Sequence, residues 1–256
     1  MNTRVKSLLW SVGSFVLIFI IWDLGVRIFK FPAYILPPPR AVLSTIAENW
    51  QTLGSATLWT TGAILAGFLA AAAVAIPLAM LIVVSPTLGR LIYPPMVATQ
   101  AIPKIALAPL FIVWFGFGFM PKVAVAFLIA FFPVVIDTIV GLRSIDPAML
   151  QLARSMGAPP YRIFMRLRLP NALPMIFGGL KVASALAVVG ALTGEFVGSD
   201  NGLGYVLVQA SGNLNTALLF ATLVILSLLA MAFFYVVEVI ERLSIPWHVS
   251  LRSHPS

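Results

Sequence analysis

Six long apolar segments constrain this chain more than any other feature of its sequence. Each reaches the length of about 18 residues or more that a helix needs to cross a bilayer. Hydrophobic residues make up 61% of the chain, and its mean hydropathy is +1.03, far above that of a soluble domain. The sequence therefore predicts an all-α integral membrane protein with one transmembrane domain, residues 1–256, and six transmembrane helices over about 8–29, 58–84, 91–117, 123–140, 173–197 and 217–239.

The first apolar segment has two interpretations. Arg4 and Lys6 precede it, as in a secretory signal peptide, but no small-x-small cleavage site follows. Trp22, Arg27 and Lys30 instead form the interfacial exit typical of a membrane helix. We therefore expect a retained first span.

A polar segment rich in arginine separates the fourth and fifth apolar segments, and we treat residues 143–170 as a loop. Asp146 is a favourable N-cap and Pro147 a favourable first helical residue. Gly157 stands where a left-handed C-cap is expected. A second helix can open at Pro160, and the pair Leu169-Pro170 is expected to end it. The pattern predicts two short helices joined at a glycine.

The loop resembles the cytoplasmic signature of ABC importer permeases, an EAA triplet followed by three residues, a glycine, and then an apolar residue and a proline. Gln151 stands where the family usually has glutamate, and Leu152 where it has alanine. The matching positions are Ala153, Gly157, Ala158, Phe164, Leu167, Leu169 and Pro170. The blocks LPPPRAV, ALAPLFIVWFGFG, GEFVGSDNGLGY and ERLSIPW extend the resemblance to the branch that serves nitrate, sulfonates, taurine and certain vitamin precursors.

This resemblance implies a type I ABC importer permease fold and a defined set of partners. These are a second permease copy, most simply in a homodimer, two ATPase subunits, and a periplasmic or lipid-anchored binding protein. ATP and magnesium would be bound by the ATPase subunits, so no cofactor is expected in this chain. The residues implied in coupling to the ATPase are Asp146, Gln151, Ala153, Arg154, Gly157, Ala158, Phe164 and Pro170.

Four polar or ionisable residues within the apolar segments are candidates for the translocation path or its gate. Gln100 and Lys104 lie in the third segment, which Pro103 and Pro109 interrupt. Lys104 either faces a pore or gate, or it snorkels or meets another chain. Lys181 and Glu195 lie at opposite ends of the fifth segment and could instead be structural.

Small residues recur every fourth position in two apolar segments, a pattern typical of closely packed membrane helices. In the second segment the row is Gly62, Ala66 and Ala70. The fifth segment has two rows, which predicts a helix crowded on more than one side: Gly179, Ala183, Ala187 and Ala191, and Gly190, Gly194 and Gly198.

Asp137, near the end of the fourth segment, is expected to pair with a nearby arginine.

The net charge of +8 does not indicate nucleic-acid binding, because the basic residues form no continuous stripe. They fit topology signals and contacts with anionic lipids. If the loop is cytoplasmic, the inner side holds ten basic residues, Arg4, Lys6, Arg90, Arg143, Arg154, Arg162, Arg166, Arg168, Arg242 and Arg252, and the outer side four, Arg27, Lys30, Arg40 and Lys122. We expect an inner-membrane protein with both termini in the cytoplasm.

The sequence contains no GxSxG, HExxH, Walker-type GxxxxGK or strand-linked GxGxxG motif, and no cysteine. His248 and His254 lack the spacing of metal ligands. We therefore expect a transport subunit rather than an enzyme, and ATP hydrolysis in another chain. The solute carried by this transport subunit would be a small anion such as nitrate, a sulfonate or taurine, or a precursor of the pyrimidine, thiamine or riboflavin type. The rivals are a self-contained channel or secondary transporter and a structural membrane subunit.

Overall fold

The computed structural model describes residues 19–247 of the protein, together with Gly13 and Leu17. The first part of the expected first span, the basic residues Arg4, Lys6 and Arg252, and both histidines lie outside the described residues. The described chain is helical and contains no strand. After α1, over residues 19–29, the α-helices are α2 Pro39–Glu48, α3 Trp50–Val84, α4 Pro86–Ala98, α5 Ala108–Phe115, α6 Phe119–Arg143, α7 Pro147–Ser155, α8 Pro160–Ile163, α9 Leu169–Gly198, α10 Leu203–Gly212 and α11 Thr216–Ser244.

Four helices in the described residues are long and apolar enough to cross a membrane: Trp50–Val84, Phe119–Arg143, Pro160–Gly198 and Thr216–Ser244. A fifth candidate is the bent pair formed by Pro86–Ala101 and Lys104–Phe115. The count of six is therefore not reached within the described residues. The second expected span corresponds to α3, which begins at Trp50 rather than near residue 58. Only Asn49 separates α3 from α2.

The third apolar segment, expected as one span over about 91–117, is sharply bent. Its two parts meet at 89°, and the break lies at Ile102 and Pro103. Proline disfavours helical backbone in the residue before it, and Ile102 accordingly has an extended ψ of 125°. Pro109 does not break the chain, because it occupies the first turn of α5, where its missing N–H costs no helical hydrogen bond. One of the two expected interruptions is therefore present.

The expected helix end at Leu169-Pro170 was wrong. Residues Phe164–Arg168 form a π-helical turn that joins α8 to α9, so that Pro160–Gly198 is one helix of 39 residues. Pro170 lies in the first turn of α9, immediately after the π-helical turn. A π-helical turn shifts the hydrogen-bond register, and such a shift lets a helix accept a proline without ending there.

The chain divides into two compact units, of which one comprises Thr60–Asp200 and residues 229–247. In this unit α6 and α9 pack antiparallel through glycine. A Cβ at Gly190 would lie 2.6 Å from Ala126 Cα, and one at Gly194 would lie 2.7 Å from Lys122 Cα. Real Cβ atoms do not approach so closely, so the helix backbones are in direct contact. Every member of the two predicted rows in α9 except Gly198 is buried.

The small-residue row expected in the second span is displaced by one position. Gly62, Ala66 and Ala70 are half-buried, whereas the closely packed residues are Ala63, Gly67, Ala71, Ala75 and Ala79. The close contact occurs at Gly67, where a Cβ would lie 2.5 Å from Ala126 Cβ of α6.

The other unit comprises residues 19–59 and Asn201–Leu228. Thr216 Oγ1 donates a hydrogen bond of 2.7 Å to the Tyr34 carbonyl oxygen, and the Trp22 and Phe220 rings lie 5.6 Å apart. These contacts link α1 and the proline-rich segment after it to the start of α11.

Candidate functional site

The loop over residues 143–170 has the predicted helix–glycine–helix structure. Asp146 Oδ1 accepts a hydrogen bond of 2.8 Å from the Ala148 N–H, and Pro147 opens α7. Gly157 lies two residues after the end of α7, and its φ of +75° is in the left-handed region that glycine favours. The Ala158 N–H then donates to the Ala153 carbonyl oxygen over 3.1 Å, which closes the C-terminal turn. These local predictions are confirmed.

An exposed apolar ridge runs along this loop. Leu152 is 62% exposed and Met156 78% exposed, and Met149 and Tyr161 continue the ridge. Gln151 and Arg154, both exposed, flank it, and Ala153 is half-buried. Because α7 is not one of the candidate membrane spans, apolar side chains exposed together on it are typical of a surface that contacts another molecule.

The base of the loop is fixed to the membrane helices. Ile145 and Ile163 are each 7% exposed. Phe164 packs against the buried cluster of Leu142, Ala172 and Ile176, which joins α6 to α9. The loop therefore has a buried base and an apolar ridge left exposed.

A second feature is a cavity of about 460 Å³ beside the break in the third apolar segment. Gln100, just before the break, and Lys104, just after it, both line this cavity, so the structure brings these two path candidates together. The Lys104 Nζ lies 4.5 Å from the centroid of the Phe132 ring, which is a cation–π distance. Ile129, Pro133 and Ile136 of α6 and Val182 and Leu186 of α9 supply apolar walls.

Asp137 lines the same cavity, and sequence reasoning missed this role. The expected pairing with an arginine is wrong: within residues 19–247 Asp137 forms no ion pair. Its position on α6, four residues after Pro133, places it on the helix face that lines the cavity, but the sequence carried no signal that Gln100 and Lys104 face the same space. We refer to Gln100, Lys104, Phe132 and Asp137 as the polar chamber.

The other two path candidates do not line the chamber. Lys181 Nζ forms an ion pair of 2.7 Å with Glu241 Oε2, which connects α9 to α11. Glu195 is 1% exposed and accepts a hydrogen bond of 2.8 Å from Thr60 Oγ1, which connects α9 to α3. Lys122, 3% exposed, interacts electrostatically with Glu195. Both candidates therefore hold helices together in this structure.

Comparison with known proteins relates this arrangement to one family. Residues 63–246 match the family described as binding-protein-dependent transport system inner membrane component. The chain is 37% identical to the riboflavin transport system permease protein RibX of Chloroflexus aurantiacus, covering 93% of this chain and 89% of that one. It is 36% identical to the formylaminopyrimidine transport permease protein ThiX of Halalkalibacterium halodurans, covering 91% and 93%, respectively.

Two further comparisons involve a more distant relative and a solved structure. The chain is 27% identical to the taurine transport system permease protein TauC of Escherichia coli over 93% of its length and 89% of that protein. A chain from an inward-facing structure of the MetNI methionine ABC transporter superposes with a TM-score of 0.67 at 21% identity, covering 75% of this chain and 96% of that one. The structural likeness concerns the fold.

Proposed function

Because this chain belongs to the family of binding-protein-dependent transport system inner membrane components, we propose that it carries a small solute through the polar chamber and takes its driving force through the loop over residues 143–170. It is a multi-pass inner-membrane permease of an ABC importer. The resemblance of the sequence to ABC importer permeases is thereby confirmed at the level of the family. The loop and both termini face the cytoplasm in this proposal, in line with the excess of basic residues on that side.

The apolar ridge is the observation that carries the coupling proposal. Ridge residues Leu152 and Met156 enter a groove on an ATPase subunit, and Arg154 and Gln151 make polar contacts at its edge. Two copies of this permease pair with two ATPase subunits and one binding protein, and the ATPase subunits hold ATP and magnesium. Coupling requires contacts that differ between conformational states, and a rigid docked element provides them.

The buried base of the loop explains how motion reaches the membrane. Phe164 packs on the cluster that joins α6 to α9, and the π-helical turn continues into α9 without a break. A displacement of α7 therefore moves α9 with it. Asp146 and Gly157 set the start and end of α7, whereas Pro170 lies where the helix regains its regular register.

A reconstitution experiment tests this function. Proteoliposomes holding the chain with its ATPase subunits are expected to accumulate solute only with ATP and binding protein, and the ATPase is expected to co-purify with the chain. Replacing Leu152 and Met156 together with aspartate should abolish co-purification, because charged groups would enter an apolar contact. Solute flux through the chain alone would instead support a channel or secondary transporter.

The charged groups in the polar chamber favour one class of solute over another. Lys104 provides one ammonium group, Asp137 one carboxylate and Gln100 one amide. A nitrate or sulfonate anion would be attracted by Lys104 and opposed by Asp137, whereas an uncharged heterocycle could use both groups as hydrogen-bond partners. The relatives named for riboflavin and formylaminopyrimidine are 37% and 36% identical, and the taurine relative 27%. We therefore propose a precursor of the pyrimidine or riboflavin type in preference to an anion.

Replacing Asp137 with asparagine distinguishes the two solute classes. For an uncharged heterocycle, uptake is expected to fall about tenfold, because a hydrogen bond to a charged acceptor contributes about 1.5 kcal/mol. For an anion, uptake is expected to rise, because the opposing carboxylate is gone. The measurement is the initial rate of uptake of riboflavin, taurine and nitrate. Glu238→Gln, which changes a carboxylate outside the chamber, is the matched control and is expected to leave the rate unchanged.

A further inference from the structure

Two arginine side chains converge on a cavity separate from the polar chamber. This cavity, of about 410 Å³, is lined by Arg90 at the N-terminal part of α4 and Arg143 at the end of α6. Gly89 brings the two elements together: a Cβ there would lie 2.9 Å from the Ile82 carbonyl oxygen and 3.9 Å from Arg143 Nη2. The start of α4 therefore lies directly against the end of α3 and beside the Arg143 guanidinium.

The cavity lies where two membrane-crossing helices end. The candidate span Trp50–Val84 ends six residues before Arg90, and the candidate span Phe119–Arg143 ends at Arg143 itself. The ends of transmembrane helices lie at the level of the lipid headgroups. Both guanidinium groups are therefore expected at the depth of the phosphate layer.

Neither arginine forms an ion pair within the described part of the chain. Asp23, Glu238 and Glu241 form ion pairs with Arg27, Arg242 and Lys181, respectively, and not with either cavity arginine. A guanidinium group presents planar pairs of N–H donors that match the oxygens of a phosphate. Two such groups facing one cavity favour a phosphate monoanion or dianion as its occupant.

The remaining lining favours a lipid phosphate over a free one. Ile82, Val83, Pro86 and Pro94 give the cavity an apolar side, and Tyr93 is the kind of amphipathic ring that lies at membrane interfaces. A free phosphate would use only the arginines, whereas a phospholipid would also cover these apolar residues. We propose that this cavity binds the phosphate of an anionic phospholipid headgroup, with the glycerol and upper acyl chain against the apolar side.

Native mass spectrometry of the importer complex released from nanodiscs tests this site. The nanodiscs contain equal amounts of phosphatidylglycerol and phosphatidylcholine. Retained phosphatidylglycerol is expected to exceed phosphatidylcholine in the unaltered complex. It is expected to fall about fivefold in Arg90→Gln or Arg143→Gln and about 25-fold in the double variant. Arg40→Gln removes an exposed arginine outside the cavity and should leave retention unchanged.

Three results would overturn the proposal. These are equal retention of the two lipids, unchanged retention in the double variant, and displacement of phosphatidylglycerol by millimolar inorganic phosphate, which would indicate a free-phosphate site. Loss of the ATPase subunit from the double variant with unchanged lipid retention would assign the arginines to an acidic protein partner. If the double variant does not assemble, Arg90→Lys with Arg143→Lys keeps both charges but loses the paired donors, and an intermediate loss of retention is expected.

Discussion

Replacing Gly157 with valine is expected to lower solute uptake at least tenfold while the complex still hydrolyses ATP. Gly157 has a φ of +75°, and a Cβ built on it meets nothing within 4 Å. The cost of a side chain is therefore conformational: a β-branched residue held in the left-handed region costs about 1–3 kcal/mol. The chain relieves this cost by changing the angle between α7 and the helix that begins at Pro160, so the ridge no longer moves together with α9.

The measurement compares ATP hydrolysis and uptake in the same proteoliposomes. Gly157→Asn is expected to keep more than half of the uptake, because asparagine tolerates left-handed backbone. Gly178→Val is the matched control, since Gly178 also has open space around its Cβ position but an ordinary helical backbone within α9. Normal uptake by Gly157→Val, or equal losses in the Gly157 and Gly178 variants, would contradict a role for the angle at Gly157.

Replacing Glu195 with alanine is expected to destabilise the folded permease by about 3 kcal/mol or more. The carboxylate is 1% exposed and accepts hydrogen bonds from Thr60 Oγ1 at 2.8 and 3.0 Å. Lys122, 3% exposed, interacts electrostatically with Glu195 and, more weakly, with Asp200. The substitution removes the stronger of these two interactions. Removing one member of a buried charged pair leaves the other uncompensated, which typically costs about 3–5 kcal/mol.

Thermal unfolding of the purified complex measures this effect. Glu238→Ala serves as the control, because its ion pair with the 60% exposed Arg242 side chain is expected to contribute less than about 1 kcal/mol. Adding Lys122→Met to Glu195→Ala is expected to recover part of the loss, since it removes the uncompensated charge. An unchanged unfolding temperature in Glu195→Ala would show that the contacts of Glu195 with Thr60 and Lys122 contribute little to stability.

The parts of the fold that follow from local chemistry could be predicted from the sequence. The N-cap at Asp146 and the left-handed turn at Gly157 depend on residues within one or two helical turns, and both were confirmed. Four of the six apolar segments likewise marked helices that are long and hydrophobic enough by themselves to cross a membrane. The same reasoning identified two short helices joined at a glycine within the loop over residues 143–170.

The parts that depend on other helices could not be predicted. In α3 alanine is so frequent that rows at neighbouring offsets look equally suitable, and only contact with α6 selects the row that contains Gly67 over the expected row that contains Gly62. The π-helical turn at Phe164–Arg168 has no sequence signature that distinguishes it from a helix end before Pro170.

The polar contacts between distant parts of the chain could not be predicted from the sequence either. The polar chamber combines Gln100 with Asp137, and Glu195 meets Thr60 across 135 residues. A single sequence shows which residues are polar, but it does not show which helix faces bring them together. Sequence reasoning therefore selected Glu195 and Lys181 for the path, whereas the structure uses both to join helices.

The unbroken helix Pro160–Gly198 determines how far a small movement of the loop over residues 143–170 reaches. Its 39 residues extend about 58 Å, nearly twice the thickness of the hydrocarbon core of a bilayer. A rod of this length that pivots about its centre by about 10° displaces each tip by about 5 Å, roughly the rise of one helical turn. A modest tilt at Pro160 would thus displace the other end of the helix, where Glu195 contacts Thr60.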